Sequence, residues 1–436
     1  MTLSRVRVAI GEALLPVGTL YFEARHDKQI SNFRYSESWL ESAHAFAMAP
    51  NLPLGSQPSF ASAPTSNSRD ALPGVFSDCA PDSWGRRLVD RDVGGHPTEL
   101  DYLLAANDRT RQGALRFLDD GNMPLAAGTP PVPRMANLAD FRRLAHTFET
   151  GKAADIKRVA HELRGAGSSL GGARPKCDLE DDNGVLYLAK FTSTHDDLPV
   201  ERMEVAALRL AGEVGLRVAS ADLAMQTSRH PIALIRRFDR RGERRLHYAS
   251  ARTFLGKQGS EHGYYSDLAD TMRSTCGGSE ELLAELRELH RRILFSILVS
   301  NDDDHLKNHG FLYVGGGAWK LSPAFDINPS VDGSAHLQTG ISELSGYEAS
   351  VEAAIEAAPL FDVETDDAWN DARQMATTIT ARWRPVCMSL GMDASDCDTY
   401  APAFERAAVQ SVANGPTPPR ARSASPPSCP SGPGSP

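Results

Sequence analysis

One stretch, Leu298 to Pro329 (LVSNDDDHLKNHGFLYVGGGAWKLSPAFDINP), constrains this chain more than any other. An apolar helical run ends at Val299, and Asp303 and Asn308 then stand five positions apart in a short polar segment. A strand-like piece follows (Gly310–Val314), then a Gly-rich turn (Gly315–Gly317) and a second strand-like piece (Trp319–Leu321), closing on Phe325–Asp326. A hairpin returns its far end towards its start, so the spacing brings Asp326 back beside Asp303 and Asn308. A bare run of three aspartates is ordinarily a solvated loop. Here the apolar helix before it and the apolar strand after it place Asp302, Asp303, Asp304 and His305 where backbone is packed. An Asp and an Asn offer hard oxygen ligands that suit Mg²⁺ rather than zinc.

Protein kinases use the same logic: one Asp orients the acceptor hydroxyl, an Asn five residues later holds Mg²⁺, and an Asp beyond a hairpin holds it again. On that reading Asp303 is the general base or hydroxyl-orienting residue, Asn308 and Asp326 are the metal ligands, and Lys307 neutralises charge on the transferred phosphoryl group. Lys190 lies in the apolar strand VLYLAKF, where an ammonium is costly unless paired. It reads as the lysine on the α and β phosphates, with Glu204 of the next helix as an ion-pair partner, or else as an edge lysine reaching water. GAGSSLGGARPK lacks the P-loop spacing. Its glycines, Ser168, Ser169 and Lys176 suit either a phosphate cradle or an ordinary loop. The crowded Arg236, Arg237, Arg240, Arg241, Arg244 and Arg245 read as a solvated strand end or a contact with protein or nucleic acid.

Composition narrows the classes. With 436 residues and 41% hydrophobic content, the chain has room for two or three domains. A net charge of −10 argues against broad adhesion to nucleic acid or anionic membrane. Six scattered cysteines without a CxxC pair read as reduced thiols. With no apolar run long enough to span a bilayer, the expectation is a cytoplasmic protein without a membrane partner. Only eight of 46 basic residues are lysines, so a lysine that persists marks a place where a compact ammonium is wanted.

The expected fold class is α+β: a small β-rich N-terminal module (1–128), a β-rich nucleotide-binding lobe (129–264), a helical catalytic lobe (265–413) and a disordered Pro/Ser-rich tail (414–436). Residues 4–23 read as a hairpin, Trp39–Met48 as a helix, Leu52–Ser68 as loop, and 83–91 as a helix capped by Asp78 or Asp82. Leu138–Leu163 has continuous helical periodicity, and Val200–Val214 is a strong amphipathic helix.

With those residues in hand, the chain resembles the HipA family, the serine/threonine kinase toxins of bacterial toxin–antitoxin systems. The matching pieces are SSLGGARPK, YLAKF, IRRFDR, NDDDHLKNHGFL and LSPAFDI, with PDSWGRRL and RTRQGALRF in the N-terminal module. The resemblance implies a two-lobed, kinase-like fold that uses ATP and Mg²⁺. It makes Asp303 the catalytic Asp, Asn308 and Asp326 the Mg²⁺ ligands, and Lys190 the nucleotide lysine. It also puts Lys176 and His305 among the nucleotide-binding residues and makes Arg237–Phe238 a hinge whose backbone meets adenine. Ser169, or Ser168 beside it, falls where family members carry an autophosphorylated serine. The implied partners are a protein substrate (family targets include aminoacyl-tRNA synthetases) and a small helix-turn-helix antitoxin, HipB-like, with operator DNA through it. Two rival readings stand beside this one: a metal-dependent phosphohydrolase or nuclease built on Asp302–His305, and a degenerate kinase that tethers an antitoxin.

Overall fold

The computed structural model describes residues 3–125, 131–164, 172–258, 261–332 and 336–414. Ser168, Ser169 and the tail beyond 414 lie outside the described residues.

The N-terminal module is a five-stranded antiparallel sheet in the order Ser59–Pro64, Lys28–Tyr35, Leu15–Ala24, Leu3–Ile10, Leu115–Leu118. Burial alternates strictly along Lys28–Tyr35, with Gln29, Ser31, Phe33 and Tyr35 inward, and Val6, Val8, Leu20, Phe22 and Phe33 bury side chains in the core. Two expectations fail here. The helix expected over Trp39–Met48 is a single turn, Glu37–Leu40, capped by Ser36. Tyr35 Oη accepts from Met48 N at 3.0 Å and donates to Leu52 O at 2.8 Å, and Trp39 Nε1 donates to Phe46 O at 3.3 Å. These bonds fold the segment around two aromatic side chains instead of along a helix axis. The loop expected over Leu52–Ser68 contains the strand Ser59–Pro64, an edge strand with few buried side chains and therefore little apolar signal.

A second antiparallel sheet runs Lys176–Glu180, Leu186–Phe191, Ile232–Arg236, Ala221–Ala224. The helix Val200–Glu213 packs against it through Met203, Val205, Ala206 and Leu210. On its other face lie Leu138–Thr150 and Ala153–Arg164. These are two helices where one was expected, because the chain turns at Gly151, where a Cβ would meet Thr147 O at 2.5 Å. The helix Ser83–Val93 joins this second cluster: Trp84 is fully buried there, and its Nε1 donates to Lys176 O at 2.9 Å. The N-terminal part of the chain thus supports the sheet that carries both buried lysines.

The third sheet pairs Tyr248–Ser250 with Gly310–Gly315, and that strand with Ala318–Leu321. The helices Tyr265–Thr275 and Ser279–Leu298 pack on it, and Thr365–Ser389 packs in turn on Ser279–Leu298. Two further helices, Ala394–Phe404 and Ala407–Asn414, end the described chain. Among the described residues no helix is long and apolar enough to cross a membrane.

The arginine cluster is largely internal. Arg237 is buried, with Nη1 2.8 Å from Asp178 Oδ1 and Nη2 2.7 Å from Asp239 Oδ2. Arg240 donates to the backbone oxygens of Arg109, Arg111 and Gly113, and Arg245 to Asp108 O. These bonds tie the N-terminal module to the second sheet. Arg236, Arg241 and Arg244 remain exposed.

Candidate active site

Lys176 and Lys190 face each other across two paired strands. Like charges directly opposite destabilise a sheet, so buried counter-charges are required, and three are present. Asp82 Oδ2 lies 3.0 Å from Lys176 Nζ. Glu204 Oε1 lies 2.5 Å and Asp326 Oδ1 2.7 Å from Lys190 Nζ. Asp82 also caps the helix Ser83–Val93 by accepting from Gly85 N at 2.8 Å, so one carboxylate starts a helix and neutralises a lysine. Of the eight lysines, Lys176 and Lys190 are the two that are buried among the described residues.

Burial disfavours the Lys190 ammonium, yet the Asp326 and Glu204 carboxylates outweigh it and hold the pKa well above the usual lysine range. Burial pushes the Glu204 carboxyl up, against the pull of Lys190. Burial acts on Asp326 in the same direction, but Lys190 and Lys176 hold it well below the usual carboxylate range. Asp326 is therefore an anion poised beside two ammonium groups.

The Asp326 backbone is held in an unusual shape, with φ +55° in the left-handed region. Neighbouring backbone bonds fix it: Ala324 N to Arg217 O at 2.7 Å, Ala219 N to Ala324 O at 2.9 Å, and Asn328 N to Asn301 Oδ1 at 3.0 Å. Asn328 Nδ2 adds a bond to Asp326 Oδ1 at 3.0 Å. A residue other than glycine held there costs on the order of 1–3 kcal/mol, a strain that such over-determination sustains at functional sites.

The acidic segment divides its labour. Asp304 is fully buried and structural: Tyr265 Oη donates to Oδ2 at 2.9 Å and Gln338 N to Oδ1 at 2.6 Å. Burial pushes its carboxyl up to about 6 and the neighbouring His309 imidazole down to about 3. Asp303 is half-exposed, with Oδ1 3.3 Å from Gln338 Nε2 and 3.7 Å from His305 Nε2. Burial raises its carboxyl, and the Asp326 and Asp302 charges act the same way. Asn308 closes the loop by donating Nδ2 to Asp303 O at 2.7 Å.

That bond leaves Asn308 Oδ1 buried without a partner among the described residues, and Asn308 and Asp326 line one small cavity. An orphaned buried carbonyl beside a carboxylate is an oxygen donor set that fits Mg²⁺. Among the described residues there is no cluster of three or more His, Cys, Asp or Glu side chains able to hold a metal.

An apolar cleft lined by Leu188, Ile235, Phe238 and Phe325 opens beside Lys190 and Asp326, and the Phe238 and Phe325 rings lie 5.3 Å apart. Arg237 borders this cleft, but its guanidinium is committed to Asp178 and Asp239, so main chain is what it offers a ligand. Lys307 stands elsewhere. The charges that act on it are Asp78, Arg252, Arg69 and Arg86, on the side facing the N-terminal module. Lys190, Glu204, Asp326, Asp303 and Asn308 are thus gathered at one locus, with Lys176 behind them and Lys307 and His305 on a neighbouring cleft.

Sequence reading missed Asp82 as the Lys176 partner, and the Asn301, Asn328 and Gln338 side chains that set the loop geometry. Their only sequence signal is an amide or carboxylate within a few positions of an apolar strand, which many loops share.

Residues 9–118 match the HipA N-terminal domain, and residues 168–383 match the HipA-like C-terminal domain. The chain belongs to the HipA family. Within that HipA-like C-terminal match fall Lys176, Lys190, Glu204, Asp303, Asn308 and Asp326, and Asp82 falls within the N-terminal match. A putative kinase of Haemophilus influenzae is 29% identical over 179 residues, 37% of this chain and 52% of that protein. The putative kinase Y4dM of Sinorhizobium fredii is 27% identical over 181 residues, 39% of this chain and 43% of that protein. The chain spans about half the length of the curated relatives it matches. The HipA of Shewanella oneidensis, solved with HipB and operator DNA, shares the fold: TM-score 0.67 over 94% of this chain and 99% of that one, at 18% identity.

Proposed function

We propose that this HipA-family chain is an ATP- and Mg²⁺-dependent protein serine/threonine kinase of the toxin type. The observation that carries the reading is the buried Lys190 held between Glu204 and Asp326, beside an apolar cleft and the Asp303–Asn308 loop. A structural ion pair needs neither the second carboxylate nor the orphaned amide oxygen.

Phe238, Phe325, Leu188 and Ile235 receive the adenine ring, with the Arg237 and Phe238 backbone at its edge. Lys190 and Lys176 hold phosphate oxygens, and Glu204 keeps Lys190 aimed. Asn308 Oδ1 and Asp326 would hold Mg²⁺, which supplies charge neutralisation on the phosphates when bound. Asp303 orients the acceptor hydroxyl and takes its proton as the hydroxyl oxygen bonds to the γ-phosphorus and ADP leaves. The proposed target is a serine-bearing bacterial protein, and Ser169 or Ser168 is the proposed acceptor within the chain. A HipB-like helix-turn-helix antitoxin, and operator DNA through it, are the proposed partners, in keeping with the assembly in which the Shewanella protein was solved. The proposed location is the cytoplasm.

The test is label from γ-³²P ATP, followed into protein and into free phosphate with Mg²⁺ present and chelated. The kinase reading expects Mg²⁺-dependent label in protein, lost with Asp303→Asn. Label released only as inorganic phosphate would overturn it in favour of a phosphohydrolase.

A further inference from the structure

Beside the Asp303–Asn308 loop, a wide cleft lies between the N-terminal module and the loop. Arg69, Arg252, Lys307, His305 and Gln338 line it, with Glu261 at its margin. Its charge stands out on a chain of net charge −10. Arg252 is paired with Asp70 at 2.6 Å, and Glu261 is turned to the backbone, its Oε2 accepting from Gln258 N at 3.0 Å. Arg69 has no carboxylate within ion-pair distance among the described residues, and its guanidinium reaches only the Ser83 hydroxyl, at 3.2 Å. Lys307 has no hydrogen-bond or ion-pair partner among the described residues. Asp78, the carboxylate that acts on it, is occupied by Ser250, whose N and Oγ donate to it at 2.7 and 2.8 Å.

Two lining residues connect this cleft to the chemistry. His305 Nε2 lies 3.7 Å and Gln338 Nε2 3.3 Å from Asp303 Oδ1. An anion seated on Arg69 and Lys307 is therefore beside the carboxylate assigned to the acceptor hydroxyl. It is also outside the nucleotide cleft, which Leu188, Lys190, Phe238 and Phe325 line.

We infer that the Arg69–Arg252–Lys307 cleft docks an anionic side chain of the protein substrate, a carboxylate or a phosphomonoester flanking the acceptor serine. The inference rests on the kinase reading for its meaning and on the cleft alone for its binding. Arg69 and Lys307, the two cations without a carboxylate partner among the described residues, attract such a group, and the N-terminal module thereby supplies one wall of the substrate site. Selectivity follows from charge: a basic flanking residue would meet three cations and be rejected.

The test uses fluorescein-labelled serine peptides in three versions, flanked by Glu, by phosphoserine or by Lys, titrated with the full chain without nucleotide. Fluorescence anisotropy reads binding. The expected result is at least 10-fold tighter binding of the Glu or phosphoserine peptide than of the Lys peptide, lost on Arg69→Glu. It should be kept on Arg5→Glu, an equal charge reversal on an exposed arginine of the N-terminal sheet. Whichever anionic peptide binds tighter identifies the source of the charge. Equal binding of all three, equal loss in both variants, or displacement by RNA with no peptide selectivity would overturn the inference. Because ATP is absent, a chain that binds the peptides but transfers no phosphate would count against the kinase reading and leave the docking site standing.

Discussion

Lys176 and Lys190 occupy directly opposed positions on neighbouring antiparallel strands, and each is buried against a carboxylate from a different part of the chain. The arrangement concentrates positive charge at one point of the sheet and makes folding depend on Asp82, Glu204 and Asp326. It also separates two roles that one lysine cannot fill. Lys190 carries the contact with Asp326, and Lys176 lowers the Asp326 carboxyl further from behind.

Replacing Lys190 with Met leaves Glu204 and Asp326 as buried carboxylates without their cation. Breaking such a pair from one side costs about 3–5 kcal/mol, so the variant should melt earlier and bind ATP poorly. Glu204→Gln keeps a hydrogen-bond acceptor for Lys190 and should lose less stability than Lys190→Met. Denaturant unfolding with nucleotide titration checks both, and equal stability of Lys190→Met and the unmutated chain would contradict the buried-pair account.

Asp82→Ala removes a helix cap and the Lys176 counter-charge together, whereas Asp82→Asn retains the cap acceptor. A lost cap costs about 1 kcal/mol. The Ala variant should therefore be the less stable by about that amount in chemical denaturation, with both variants less stable than the unmutated chain.

Arg237→Ala strands Asp178 and Asp239 in the interior. The expected loss is again about 3–5 kcal/mol. Arg237→Lys should restore part of it, and where the Lys variant folds, its ATP affinity should stay within about threefold, since the side chain points into the ion pairs and not the cleft. A large loss of affinity in folded protein would give the guanidinium a role in nucleotide binding.

Burial raises the Asp304 carboxyl to about 6. The folded state then holds that proton more tightly than the unfolded chain. The associated stability is complete below the unfolded carboxylate range and is lost as pH rises through about 6. Asp304→Asn keeps an acceptor for Gln338 N and a partner for Tyr265 without the charge. Its stability relative to the unmutated chain should improve from about pH 4 to about pH 7, by no more than about 3 kcal/mol. Denaturation at the two pH values measures this, and an unchanged difference would contradict a perturbed Asp304.

The candidate site's Leu298–Pro329 stretch was legible because much of what shapes it is local. A helix end, a five-residue spacing and a hairpin of fixed length bring Asp303, Asn308 and Asp326 towards one another, and the Arg217 and Asn301 contacts then fix Asp326. Glu204 was half-legible, as a carboxylate on the helix that follows the Lys190 strand. Asp82 was not legible as a counter-charge: it lies 94 positions before Lys176, and only the packing of Trp84 behind the sheet brings it there. The Arg236–Arg245 run misled for a related reason, since its partners, Asp108, Arg109, Arg111 and Gly113, sit on a loop whose position no local pattern records. The edge strand Ser59–Pro64 was hidden because half of a strand that faces water has no apolar period to display.

The central claim is phosphoryl transfer by the Lys190–Asp326–Asp303 site. Its most direct measurement is the intact mass of phosphatase-treated chain after incubation with Mg²⁺ and ATP, with phosphosite mapping, beside Asp303→Ala. The account predicts addition of one phosphoryl group on Ser169 or Ser168, absent in the variant. No mass gain by dephosphorylated, folded chain that also fails to bind ATP would contradict it.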